Sequence, residues 1–459
     1  NWDNNLPLAN IQVEINDLGL STISGPDGYY EFADVPSGEY YVSINQEGYF
    51  QTAILAYIDP WETSFEDMFA MPIHDNQFQI PQGWSGISSV YYMYQDVSVI
   101  FAEHSDDVVI ISSMDGFYYP GQNVNTLGGW ANSPGYKIKA GDAFNFEHPG
   151  WMRKPAELTV PAGWSILPCW NECPISIDEL FGARVGSLPV MIKEIAGPGV
   201  YWPNQSVYTL NVLEPGLAYM LNMDSESSVV YPGCSFKGDP VVSKNSFVNN
   251  SSWNDPVSTA NSHLIHIPAN LIDDAGLNVG DYLGAFDIND NCFGMVQVLK
   301  SDNYAIAAFA DDQLTLVKDG FAEGELILIK AFKMETGETI DLDIEYSQQM
   351  PDQQLYRTDG MSSVLLKSSG ISDGSGAQNQ LLHVYPNPGD GLVNVHINGK
   401  QTVLSIDVFD IHGKLVFSSQ EVINNNGVTQ LDLRGMPSGL YSLKIITEST
   451  VIEEKIIIR

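Results

Sequence analysis

The chain has 459 residues, 44% of them hydrophobic. At roughly 100–200 residues per domain that is ample for several packed cores and argues against disorder as the main state. Lys and Arg number 20 against 57 Asp and Glu, a net charge of −37 that would repel nucleic acid and anionic lipid from almost every face. Only 17% of residues are charged while Gly and Tyr reach 40 and 22, the balance of an extracellular β protein rather than a cytosolic helical enzyme.

No run approaches the roughly 20 apolar residues needed to cross a bilayer. The opening Asn1-Trp2-Asp3-Asn4-Asn5 has neither an initiator Met nor a basic leader, which reads as a processed protein or the end of a longer one. Cys169, Cys173, Cys234 and Cys292 are too few for a disulfide scaffold and lack zinc-site spacing. Cys169-Trp-Asn-Glu-Cys173 either closes a small disulfide loop in an oxidising compartment or carries two free, buried thiols.

Residues 1–74 alternate with period 2 at Ile11-Gln-Val13-Glu-Ile15, Tyr30-Glu-Phe32 and Tyr40-Tyr-Val42-Ser-Ile44, which predicts strands. Gly25-Pro26-Asp27-Gly28 and Val35-Pro36-Ser37-Gly38 supply the turn residues. The segment resembles the carboxypeptidase regulatory-like (Cna-B type) β-sandwich without its usual first strand. That resemblance implies a non-catalytic spacer or accessory module cut from a longer chain.

Residues 75–232 hold an internal duplication, with halves at about 76–155 and 156–232. Ile80-Pro81-Gln82-Gly83-Trp84-Ser85 returns as Val160-Pro161-Ala162-Gly163-Trp164-Ser165. The same spacing carries Ile100-Phe101 onto Leu180-Phe181 and Ile110-Ile111 onto Val190-Met191. Further on, Tyr119-Pro120 matches Trp202-Pro203, Thr126-Leu127 matches Thr209-Leu210, and Pro134-Gly135 matches Pro215-Gly216. Two copies of one β-rich unit follow, with Trp84 and Trp164 expected in equivalent buried positions.

Residues 233–367 predict a third β region with strands at Leu264–Ile267, Leu283–Phe286, Met295–Val298 and Leu326–Ile329. Gly280-Asp281-Tyr282-Leu283-Gly284-Ala285-Phe286 and Asp319-Gly320-Phe321 resemble a module common in surface proteins of the Bacteroidetes. Residues 368–380 are a flexible linker by composition.

The final stretch, 381–459, opens with Tyr385-Pro386-Asn387-Pro388 and continues through the turns Asp410-Ile411-His412-Gly413-Lys414 and Ser438-Gly439-Leu440-Tyr441 to Lys455-Ile456-Ile457-Ile458-Arg459. Its alternating strands and glycine turns predict a small antiparallel sandwich. The ensemble resembles the type A C-terminal sorting domain of Bacteroidetes type IX secretion substrates, an Ig-like fold. The resemblance implies a motif made of Tyr385, Pro386, Asn387, Pro388, Asp410, Gly413, Lys414, Ser438, Gly439, Tyr441 and Lys455. It also implies passage through the periplasm to the outer-membrane translocon and its shuttle, then surface anchoring or release. The fold class is therefore all-β, tandem β-sandwich modules with a duplicated pair and a sorting domain.

Candidate chemistry is sparse. His263 and His266 have HxxH spacing, but on a strand they point to opposite faces. Asp287-Ile-Asn289-Asp-Asn291 has the start of a calcium loop, yet Cys292 and Val298 replace the required Gly and Glu, favouring a hairpin turn with Asx bonds. Weak surface calcium binding elsewhere fits the acidity. Gly83-Trp84-Ser85-Gly86 and Gly163-Trp164-Ser165 fail the nucleophile elbow. Tyr91, Tyr92, Tyr118, Tyr119 and Trp202 suit packing in β cores or stacking on sugars. With no nucleophile, acid–base pair or cofactor loop in view, the chain reads as a non-enzymatic structural or adhesive surface protein, part of an oligomeric extracellular fibre. The alternative is a carbohydrate-binding or spacer tail of a secreted hydrolase. Expected partners are the translocon, further copies of the chain, surface glycans and other cells, and not nucleic acid.

Overall fold

A computed structural model describes residues 1–154, 156–182, 189–232, 234, 249–366, 382–385, 387, 389–397, 403–410, 414–419, 428–447 and 451–459. The chain forms two compact units, 1–245 with 258–260 and 246–257 with 261–459. The all-β expectation holds, since short helices only punctuate sheets that are mostly antiparallel, with Ser262–Ile267 and Met361–Leu366 paired parallel.

The first unit begins with a four-stranded sheet in the order Leu20–Ile23, Gln12–Ile15, Gly38–Ile44, Thr52–Ile58. Its core gathers Ile11, Val13, Ile15, Val42 and Ile44. Tyr30–Phe32, expected as a strand, is not one. Both aromatics pack on this core from an irregular segment, and the Tyr30 hydroxyl donates to the Glu66 carbonyl at 2.8 Å. Period-2 alternation reported the buried side of the segment and not a partner strand. Gly28, with φ 79°, is needed where the turn presses on Pro7, which a Cβ would meet at 2.9 Å.

Two five-stranded sheets follow with the same plan. One runs Gly83–Ile87, Tyr136–Ala140, Val108–Ser112, Phe117–Tyr119, Val124–Asn125; the other runs Gly163–Pro168, Ala218–Met223, Met191–Glu194, Val200–Trp202, Val207–Tyr208. Each is accompanied by a strand pair, His74–Ile80 with Phe144–Gly150 and Glu157–Val160 with Ser227–Val230. Detail repeats as well. Asn123 (φ 54°) and Ser206 (φ 53°) occupy matching left-handed corners, and Thr126 and Thr209 accept at Oγ1 from the Phe117 and Val200 amides, both at 2.9 Å.

Two of the expected matches shift. Ser85 pairs with Ile138 and Ile138 with Ile111, while Ser165 pairs with Leu221 and Leu221 with Ile192. Ile110 and Ile111 thus correspond to Met191 and Ile192, one residue later than the spacing implied. A one-residue slip exchanges the faces of a strand, and the paired sheet sets Ile111 and Ile192, both fully buried, in equivalent places. The register likewise sets Gly135 against Ala218 rather than Gly216, whose φ of 74° belongs to a turn. Trp84 and Trp164 are equivalent but only half-buried. They lie on the sheet face opposite Ser85 and Ser165, and the Lys193 ammonium stands 5.1 Å from the Trp164 ring centre.

The halves pack through these faces. A Cβ on Gly86 would meet the Ala218 carbonyl oxygen at 2.0 Å, and one on Gly135 would meet Ile166 Cγ2 at 2.8 Å. Because Gly86 corresponds to Ile166 and Gly135 to Ala218, the contact is reciprocal, as at a twofold interface. The Ser88 amide donates to the Gly216 carbonyl at 2.6 Å and locks the seam.

The disulfide joins Cys173 to Cys234, not Cys169 to Cys173. Cys169 follows the Gly163–Pro168 strand and points inward, fully buried, with Sγ 3.5 Å from the Leu213 carbonyl. A thiol committed to the core cannot reach a half-exposed neighbour four residues on.

In the second unit, residues 261–366 form two facing four-stranded sheets around one core that includes Ile265, Leu283, Ile306, Ile329 and Val364. The strand expected at Leu326–Ile329 is Leu328–Lys333, with Leu326 and Ile327 buried just before it. The C-terminal segment is a sandwich of three strands on four, closed over Val395, Val408, Leu443, Ile445 and Ile456. The linker 368–380 lies outside the described residues.

Candidate functional site

In the C-terminal sandwich, three motif side chains, those of Asn387, Asp410 and Tyr441, satisfy main-chain groups. Asn387 donates from Nδ2 to the Lys455 carbonyl at 2.6 Å and accepts at Oδ1 from the Ile457 amide at 2.8 Å. Gly389 continues the clamp, its amide donating to Ile457 and its carbonyl accepting from Arg459. The opening of the segment is thereby tied to its last strand by a side-chain amide that both donates and accepts. Asp410 accepts from the Lys414 amide at 3.0 Å and caps a tight hairpin. Tyr441 is buried, and its hydroxyl reaches the Pro437 carbonyl at 2.6 Å, bracing the turn that carries Ser438 and Gly439.

Tyr385 ends the strand Leu382–Tyr385; Pro386, Pro388 and Gly413 lie outside the described residues. Lys414 and Lys455 are exposed. On the last strand Ile456 and Ile458 face the core while Lys455 and Ile457 face out, with Ile457 paired to the equally exposed Leu440. The outward stripe of this sheet edge therefore carries Lys455, Ile457 and Leu440.

The other singled-out residues serve as scaffold. Asp287 accepts at Oδ1 from the Asn289 and Asn291 amides, at 2.8 and 3.0 Å, and Lys318 Nζ sits 2.9 Å from Oδ2. The Asx hairpin is present, and an ammonium occupies the place a cation would take. Burial opposes ionisation of Asp287, but these donors hold its pKa below the ordinary value. His263 and His266 bond to Ser362 and Ser363 at 2.6 and 2.8 Å, on opposite faces of the same strand. Ser85 and Ser165 stand mid-strand, and their hydroxyls have no partner among the described residues. Tyr118 and Trp202 are buried; Tyr91, Tyr92 and Tyr119 are half-buried.

Burial depresses the pKa of His266 to about 4. Unfolded, it titrates near 6.5, so the folded state holds it neutral and its contribution is full above pH 6.5. Acidification toward pH 4 should remove on the order of 3 kcal/mol of stability at about 1.4 kcal/mol per pH unit. Urea midpoints from pH 7 to 4 check this. The slope should shrink in His266→Gln, and superposable pH profiles would refute it.

One concavity escaped the sequence reading. Trp2, Tyr92, Trp151 and Trp170 surround Arg153 in a cleft of about 330 Å³, with Lys154 and Glu157 at its sides. The Arg153 guanidinium lies 4.1 Å from the Trp170 ring centre and 4.9 Å from Tyr92. Its single long bond is Nη2 to Ser89 Oγ at 3.4 Å, and its buried Nε has no partner among the described residues. Burial lowers its pKa to about 10, and the groups acting on its charge are the Tyr92 and Tyr231 phenols. The available signal was Trp151-Met152-Arg153-Lys154, adjacent cations beside an indole in a strongly acidic chain.

Fold and tail together define an exported protein of β modules. Residues 383–459 match the family described as the secretion system C-terminal sorting domain, and this segment is a type IX sorting domain. The chain is thereby directed across the outer membrane to the cell surface or the medium, with the type IX machinery as its partner. No helix among the described residues is long and apolar enough to cross a membrane. No curated protein matches the chain. Among solved structures, "Biofilm associated protein - BSP domain" aligns at 6% identity and a TM-score of 0.17, over 39% of this chain and 24% of that one. "The Bacillus anthracis TIE protein" aligns at 7% identity and a TM-score of 0.11, over 92% of this chain and 69% of that one. Neither likeness carries an argument about function.

Proposed function

We propose that the chain is a non-enzymatic adhesive protein of the cell surface, its β modules presenting contact surfaces outside the cell. The observation that carries this reading is an export domain behind modules in which the residues with metal-site spacing are bonded to scaffold, Asp287 in a hairpin clamp and His263 and His266 on serines. The first module adds support with large apolar side chains left in water, Trp61 fully exposed and Phe65 86% exposed. Assembly of copies into a fibre is the finer form of the reading. At −37 per copy it needs apolar or strand-edge contacts and salt that shortens the Debye length to about 8 Å near 0.15 M.

Cells lacking the protein, with and without the restored gene, test it. Attachment to surfaces and to one another should fall severalfold and return on restoration, with secreted hydrolase activities unchanged. Normal attachment, or loss of a hydrolase activity instead, would overturn the adhesive reading.

A further inference from the structure

We infer that the cleft around Arg153 binds an acidic sugar, a hexuronate residue of an acidic polysaccharide, with its carboxylate on the guanidinium. The inference rests on the adhesive reading and names its ligand class.

A guanidinium withdrawn from water ordinarily has a carboxylate partner, because an uncompensated buried charge is costly. Arg153 lies over the Tyr92 and Trp170 rings, makes one long bond to a serine, and has a buried Nε with no partner among the described residues. Glu157, the acid at the cleft, accepts from the Ser228 hydroxyl. The planar fork matches a carboxylate in two parallel bonds and would gain most from it in a part-dried site.

The walls select what carries that carboxylate. Trp2 and Trp151 are half-buried indoles that line the cleft, and an indole offers a surface suited to the C–H face of a pyranose. They are held in place beforehand. Trp2 donates from Nε1 to the Met152 carbonyl at 2.6 Å and meets Phe69 edge to face; Trp151 packs at 5.0 Å on both Phe50 and Tyr92. A prepared wall loses little side-chain freedom on binding. At about 330 Å³ the cleft falls at the small end of ligand sites, which run from about 300 to 1,000 Å³. Polyphosphates and nucleic acids fit poorly, since dense charge is repelled by a −37 chain and offers no apolar face. A uronate carries one charge per ring and an apolar face beside it.

The test titrates the purified full chain with tri-galacturonate and with its methyl ester, following tryptophan fluorescence and calorimetry. The free acid should bind, and the ester, which keeps the sugar faces but loses the charge, should bind about 30-fold more weakly or worse. Arg153→Gln should weaken the acid by a similar factor and leave the ester unchanged, with Arg153→Lys between. The ester comparison needs no variant, so it stands even if Arg153→Gln fails to fold. Absence of binding, equal binding of acid and ester, or indifference to a folded Arg153→Gln would each overturn the inference. If cells lacking the protein lose attachment while the chain ignores uronates, the ligand assignment falls and the adhesive reading stands.

Discussion

Cells that make this protein without residues 381–459 should retain it in the periplasm, with surface and medium fractions nearly empty. The segment removed is the type IX sorting domain. It closes its own core of Val395, Leu443, Ile456 and neighbours, and its two ends are fastened together by Asn387 and Gly389 on the last strand. A self-contained core and a short closed perimeter mark a unit that folds and is recognised as a whole. Fractionation with surface proteolysis reads the outcome, and grafting 381–459 onto a periplasmic reporter should export it. Normal surface levels of the truncated chain would show that another segment carries the address.

The disulfide gives the second large effect. Cys173 and Cys234 close a loop of 61 residues, for which loss of chain entropy in the unfolded state corresponds to about 4 kcal/mol. The loop embraces most of the second half of the duplicated module, so Cys173→Ser with Cys234→Ser should lower the denaturant midpoint of that module far more than Cys169→Ser does. Thiol titration of the denatured, unreduced protein should find two free thiols, Cys169 and Cys292. A peptide linking Cys169 to Cys173 would overturn the pairing, and an unchanged midpoint in the double variant would overturn the magnitude. An oxidising periplasm is where such a bond forms during export.

What could be read from sequence follows how local each feature is. The sorting domain was legible because Asn387, Asp410 and Tyr441 each meet a backbone need within a turn or at a chain end, and turn chemistry leaves little choice of residue. The duplication was legible in its corners and apolar pairs. Its register was not, because one added residue between Trp164 and Met191 shifts the strand and only the paired sheet reveals it. Tyr30 and Phe32 alternate as a strand does, yet tertiary packing uses them from a loop. The cystine spans distant positions, and the Arg153 cleft draws Trp2, Tyr92, Trp151 and Trp170 from separate segments, so no window of sequence contains either.

The reciprocal seam between the duplicated halves also determines what can pair with what. At matching positions the first half has Gly86 and Gly135 where the second has Ile166 and Ala218. Two first halves brought together would face hollow against hollow and leave a void. Two second halves would drive Ile166 into a site already filled by the Ala218 methyl. Only the mixed pairing fills its volume without overlap, so each half discriminates against its own twin on another molecule. Between neighbouring copies of the chain, that bias disfavours a first half meeting a first half or a second half meeting a second half.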